Sequence, residues 1–179
     1  MNKIYDSSEE RYGCLMLYAD ISKDDYINTV HEIVDLEDIY EDPTGKEEYG
    51  YETEAHVTVL WGIHYDNVLI DNIVKTFYNI KDSYELEIEG IGVFENDDYD
   101  VVKFDVIPNK RLLHLRDYCI NTFENTQTFD DFHPHMTIAY VKKGLGKKYL
   151  KKFNKSFYVN FTKIVYSNPE YKKIYYNIE

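Results

Sequence analysis

The sequence predicts an α+β fold in a single domain over residues 1–179, and three observations carry that prediction. The length fits one domain, or two small lobes sharing a core. Strand-like and helix-like segments mix along the chain without the strict repeat of a parallel α/β protein. Two of the strands, each placed after a helix, carry the same kind of triplet, His56-Val57-Thr58 and His135-Met136-Thr137. That placement hints at an internal pseudo-symmetry, although no close sequence repeat accompanies it.

The elements follow from periodicity and punctuation. Cys14–Ile21 is continuously apolar enough for a buried strand. Ser22 suits an N-cap, with Asp24 and Asp25 in the first turn of a helix whose stripe is Tyr26, Ile27, Val30, Ile33 and Val34. Residues 37–54 are acidic, contain Pro43 and Gly45 and lack a period, which predicts a long loop of the kind that forms functional lids. Ala55–Ile63 is a second strand, and Asp66 is placed to cap a helix striped with Leu69, Ile70, Ile73, Val74 and Phe77. Tyr84–Phe94 and Asp100–Ile107 flank the turn Asn96-Asp97-Asp98 and predict a hairpin. Residues 109–124 show a helical stripe, a strand follows Pro134 as far as Val141, and Gly146–Phe153 predicts a short basic helix. Residues 156–166 and 172–178 predict two closing strands.

Composition narrows the function. The net charge of −13 argues against a broad grip on duplex DNA or long RNA, which needs many cations along the phosphates. It leaves room for a small anion in a local pocket. Lysines 142, 143, 147, 148, 151, 152 and 155 form a basic stretch free of acids, read either as a solvated face or as an anion-attracting patch beside the second triplet. No run approaches the ~18 apolar residues of a membrane span, and Met1–Arg11 does not resemble a secretion signal, so no membrane partner is expected. Cys14 and Cys119 sit in apolar segments without Cys-x-x-Cys spacing, as buried thiols of a reducing, cytoplasmic compartment do.

The two triplets carry the chemistry. Side chains at i and i+2 of a strand share a face about 6.6 Å apart. His56 and Thr58 therefore lie side by side, as do His135 and Thr137. With six His and ten Thr, roughly 0.3 such triplets arise by chance, and under ~0.1 with apolar residues in the middle and after. Phosphodiester cleavage needs a base for the attacking hydroxyl and an acid for the leaving oxygen. Histidine, with an ordinary pKa of about 6.5, serves as either at neutral pH. Threonine hydroxyls can donate to the non-bridging oxygens where charge builds up.

On these motifs the chain resembles the 2H phosphoesterases, from about Cys14 to Tyr166, most closely in Ala55-His56-Val57-Thr58-Val59-Leu60 and Pro134-His135-Met136-Thr137-Ile138-Ala139. This superfamily includes 2′–5′ RNA ligase-like proteins, 2′,3′-cyclic phosphodiesterases and viral enzymes that degrade oligonucleotide second messengers. The resemblance implies a bilobal, pseudo-twofold fold with two antiparallel sheets around a central cleft. It implies His56 and His135 as a metal-independent acid–base pair, with Thr58 and Thr137 as phosphate ligands and no cofactor. The implied partner is a small nucleotide or short oligonucleotide: a 2′,3′-cyclic phosphate, a 2′–5′ linkage, or a linear or cyclic oligonucleotide. Clearing an immune cyclic messenger in a host cytoplasm is a special case by analogy with viral members.

Other residues are candidates by position. Tyr140 and Tyr51 could stack on a base, Lys142 could attract a phosphate, and His133 could sit at the cleft rim or bond nearby backbone. Trp61 is read as core, on the strand face opposite His56. A metal site built on His133 and His135 is the chemical rival, but no Cys or carboxylate stands at zinc-like spacing with them. A non-catalytic nucleotide-binding module and an acidic protein-interaction surface at residues 35–54 are the functional rivals.

Overall fold

A computed structural model describes residues 12–45, 49–64, 67–78, 82–126, 131–153 and 155–178. The strands are β1 (Gly13–Ala19), β2 (His56–Ile63), β3 (Tyr84–Glu95), β4 (Tyr99–Ile107), β5 (His135–Lys142), β6 (Phe157–Ser167) and β7 (Lys173–Asn177). The helices are α1 (Lys23–Ile33), α2 (Asn67–Tyr78) and α3 (Lys110–Thr122). Ser22 caps α1 as its sequence predicts, its Oγ accepting from the Asp25 amide at 3.1 Å. Asn109 caps α3 in the same way, accepting from the Leu112 amide at 2.9 Å. The Asp66 cap expected for α2 lies outside the described residues. The basic segment forms a 3₁₀ turn at Gly146–Tyr149 rather than a longer helix.

All pairings are antiparallel, in the order β2-β1-β6-β3-β4-β5, with β7 on β6. The two antiparallel sheets expected around the cleft are present as two halves, and hydrogen bonding joins them into one sheet. Strand β6 is the joint: Phe157–Phe161 pairs with β3, while its later residues lie between β1 and β7. The two ends of the path, β2 and β5, lie against each other without pairing. The motif strands of the two halves are thereby brought together.

One face of the sheet carries the main core. Leu15, Leu17, Val57, Leu86, Phe104, Met136 and Val141 pack there under buried side chains of all three helices. The other face carries the histidines, with a small apolar floor of Met16, Tyr18 and Val165 in the β1 half. The acidic segment predicted as a lid is instead laid along the outer edge of β5. Tyr40 N bonds Tyr140 O at 3.0 Å, Tyr140 N bonds Gly50 O at 2.8 Å, and Glu52 N bonds Ile138 O at 2.9 Å. Covering an edge strand in this way removes its unpaired amides and carbonyls from solvent. Lys148 bonds Asp35 and Asp38, and Tyr149 bonds Asp38, tying the start of this segment to the turn after β5.

Candidate functional site

The two motif strands are built alike. On β2, Leu60 pairs with Leu15 and Thr58 with Met16, so Val59 is an extra residue in the ladder. On β5, Ala139 pairs with Val102 and Thr137 with Lys103, so Ile138 is extra. Each strand thus carries a β-bulge one residue after its threonine. A bulge turns two successive side chains to one face and reverses the alternation beyond it. Val59 and Leu60 are both in the core, as are Ile138 and Ala139. Trp61 and Tyr140 then fall on the same face as the histidines and threonines. Trp61 is 42% exposed, which corrects its reading as a core residue. The doublets Val59-Leu60 and Ile138-Ala139 are the sequence signal of the phase change.

Helical side chains hold both irregular stretches. Arg116 of α3 donates from Nη1 to the Val59 carbonyl at 2.6 Å. Tyr26 of α1 donates to the Thr137 carbonyl at 2.5 Å.

The histidines are anchored identically. His56 Nδ1 lies 2.9 Å from the Glu54 carbonyl, and His135 Nδ1 lies 2.8 Å from the His133 carbonyl. A carbonyl only accepts, so Nδ1 must carry the hydrogen and Nε2 is the proton-transfer atom in both rings. His133 is exposed and contributes this backbone oxygen. Each imidazole also rests on an aromatic ring. Tyr18 stacks on His56 at 5.3 Å and 20°, and Phe94 meets His135 edge-on at 4.8 Å and 88°. Burial, with the positive charges of Lys103 and His56, pulls the His135 pKa below the usual histidine value against the bond to His133.

The second layer differs between the halves. Beside His56, Tyr18 donates to Glu54 Oε2 at 3.2 Å, and Glu54 also binds Lys173. Burial pushes the Tyr18 phenol well above its usual range, so it stays a donor. Beside His135, Lys103 is bound to Asp105 and lies 4.2 Å over the Phe94 ring. Cys14 donates its thiol hydrogen toward Thr58 Oγ1 at 4.0 Å. Burial raises that thiol to about 11, too high for a nucleophile at neutral pH.

The remaining candidates lie at different distances from this centre. Tyr140 joins an aromatic cluster, 5.2 Å from Tyr49 and 5.6 Å from Tyr99. Lys142 turns its ammonium to the Glu37 carbonyl at 2.7 Å. Tyr51 pairs with Ala139, a core-facing residue, and its hydroxyl donates to Val34 O at 2.8 Å while its ring meets His31 at 4.1 Å. The structure therefore places Tyr51 against His31 and Val34 rather than beside His56 and His135. Lysines of the basic stretch are engaged with the hairpin and the acidic segment: Lys143 with Asp97 O at 2.6 Å, Lys147 with Glu95 at 2.8 Å, Lys152 with Asp35 at 3.5 Å. His64 is bound to Thr126 at 2.8 Å and Glu124 at 3.5 Å. Among the described residues, no three His, Cys, Asp or Glu side chains cluster as a metal site.

Comparisons with known proteins bear on the family and the fold. The family model of the 2′-5′ RNA ligase superfamily matches residues 30–162. No curated protein matches the sequence. Among solved structures the fold is similar to Usb1 of Kluyveromyces marxianus, with a TM-score of 0.61 at 10% identity over 95% of this chain and 99% of that one. The same protein with uridine monophosphate gives 0.54 at 10% identity, over 94% and 98%. LigT of E. coli complexed with 3′-AMP gives 0.51 at 13% identity, over 96% and 97%.

Proposed function

Because the chain belongs to the 2′-5′ RNA ligase superfamily, we propose that it cleaves the phosphodiester of a small nucleotide by general acid–base catalysis between His56 and His135. The observation that carries this reading is the matched pair of imidazoles. Each donates Nδ1–H to the carbonyl two residues back, and each shares a strand face with a threonine.

In this mechanism one Nε2 takes the proton of the attacking water or ribose hydroxyl as the new O–P bond forms. The other Nε2 gives its proton to the leaving oxygen as the old P–O bond breaks. Thr58 and Thr137 donate to the non-bridging oxygens, where negative charge accumulates. The pair supplies both proton transfers without a metal.

Trp61 and Tyr140 fit the role of base platforms, since the twin bulges aim both rings to the histidine side. The net charge of −13 favours a mono- or short oligonucleotide over long RNA. The nucleotides bound by Usb1 and LigT point to the same substrate size. Within that class, 2′,3′-cyclic phosphates, 2′–5′ linkages and short linear or cyclic oligonucleotides are the substrates to test. The test is incubation with such a panel in EDTA, with products identified by mass spectrometry. The expected result is cleavage of at least one member by the wild type and none by His56→Ala or His135→Ala. Full activity in either variant would sink the assignment.

A further inference from the structure

We propose that Lys103, buried against Phe94 and clamped by Asp105, is the positioning residue that makes His135 rather than His56 the base of the pair. This rests on the functional reading above and deepens it.

The pseudo-symmetry of the two motif strands breaks at one ladder position. Thr58 on β2 faces Met16 across the ladder, and Thr137 on β5 faces Lys103 at the corresponding place. One half therefore has a thioether where the other has an ammonium. Lys103 is 4% exposed, an unusual burial for lysine. A cation so placed needs a compensating anion and bond partners. Asp105, the cross-strand partner of His135, supplies them, and the Phe94 ring takes the other side at 4.2 Å. Gly92 leaves room for the pair: a Cβ there would fall 2.1 Å from Asp105 Oδ2 and 2.7 Å from Lys103 Nζ. The same Phe94 ring meets His135 edge-on at 4.8 Å, so lysine and imidazole share one ring.

A fixed positive charge beside an imidazole disfavours the imidazolium. The ionisable groups acting on His135 are Lys103 and Asp105 of β4 and His56 of β2, with the His133 carbonyl as hydrogen-bond acceptor. Burial acts most strongly against protonation and Lys103 and His56 add to it, while the His133 carbonyl and Asp105 act for it. With burial and Lys103 both disfavouring the imidazolium, His135 is the ring assigned to accept the proton of the nucleophile. The half of His56 has its own lysine, Lys173, bound to Glu54 and 5.5 Å from the Tyr18 ring that stacks on His56. Its side chain is 32% exposed against 6% for that of Lys103, so solvent screens it more. His56 is therefore assigned the transfer to the leaving oxygen.

Opposite signs of the two charges make the test sharp. The histidine ring signals of the wild type, Lys103→Met, Lys103→Arg and Asp105→Asn are titrated by NMR without substrate. The His135 midpoint is expected to rise in Lys103→Met, to stay in Lys103→Arg and to fall in Asp105→Asn. An unmoved midpoint, or one moving the same way in Lys103→Met and Asp105→Asn, overturns the proposal. If Lys103→Met does not fold, the direction in Asp105→Asn decides, because the Asp105 side chain is 44% exposed and the variant keeps the buried lysine. The titration needs no substrate, so its failure is separate from failure of the functional reading. On a cleaved nucleotide, the acidic limb of kcat/KM should move with the His135 midpoint. A limb that stays in place while the midpoint moves overturns the assignment of His135 as base.

Discussion

At the scale of the residue, the central feature is which nitrogen is left free. Tethering Nδ1 to a carbonyl two residues back fixes the tautomer and aims Nε2 away from the strand in both histidines. The depressed His135 pKa has a defined consequence for pH dependence. A base works only when unprotonated, so with His135 as the proposed base activity should fail on the acidic side as this ring takes up its proton. The acidic limb of kcat/KM is expected below the ordinary histidine value of about 6.5. A limb at or above that value contradicts the environment described for His135. Linkage has the same sign. The unfolded chain binds this proton more readily than the folded one, so stability falls as pH drops below the unfolded value.

Trp61 gives a second residue-scale prediction. Base stacking is worth about 1–3 kcal/mol, so Trp61→Ala should raise KM by roughly 5- to 150-fold with little change in thermal stability. An unchanged KM removes it from the substrate site. Cys14 gives a third. With its thiol raised to about 11, it should resist alkylation at pH 8 in the native protein and react after unfolding. Rapid native modification contradicts the environment described for this half-buried thiol beside Thr58, whereas Cys119 is fully buried.

At the scale of the element, most of the architecture is legible in the sequence. The strand around each triplet, the hairpin of β3 and β4, and the cap of α1 follow from periodicity and side-chain chemistry. The phase of each motif strand beyond its threonine does not. Strict alternation puts Trp61 with Val57 and Val59, and the bulge at Val59 turns it to the other face. A bulge is set by the partner strand's register, which is a tertiary fact. The adjacent core residues Val59-Leu60 and Ile138-Ala139 are its only local trace. The segment after α1 was unreadable for a related reason. It bonds β5 through main-chain atoms, and main-chain pairing leaves no periodicity in an acidic segment. The lysine network of β4 was hidden because Lys103 and Asp105 read as ordinary alternating strand charges.

Arg116 tests the importance of the bulge. It satisfies a carbonyl that the irregular ladder leaves over. Arg116→Met should cost about 1–3 kcal/mol in denaturant unfolding and lower turnover by loosening Thr58 and Trp61. Full activity with the stability loss confined to α3 would show that the bulge is held by other contacts.

At the scale of the whole molecule, a single curved path of strands brings its two ends together, and each end carries one histidine. Residues about 80 positions apart in the chain thereby come onto strands that lie against each other. The negative charge of the whole repels long polyanions, while in the proposed mechanism two imidazoles and two hydroxyls meet one phosphate. The same linkage should therefore be cleaved faster in a di- or trinucleotide than within a long RNA, and raising the salt should narrow the gap. A preference for the long RNA at low salt contradicts this view of the surface.

The account stands on the two histidines acting as one unit. Its most direct test is the single-turnover rate on the best-cleaved nucleotide, in EDTA, for the wild type, His56→Ala, His135→Ala and the double variant. Each single substitution should cost about 10²- to 10⁴-fold, and the double should be little worse than the worse single one. Loss of wild-type activity in EDTA, near-wild-type turnover in either single variant, or losses that multiply in the double variant would contradict it.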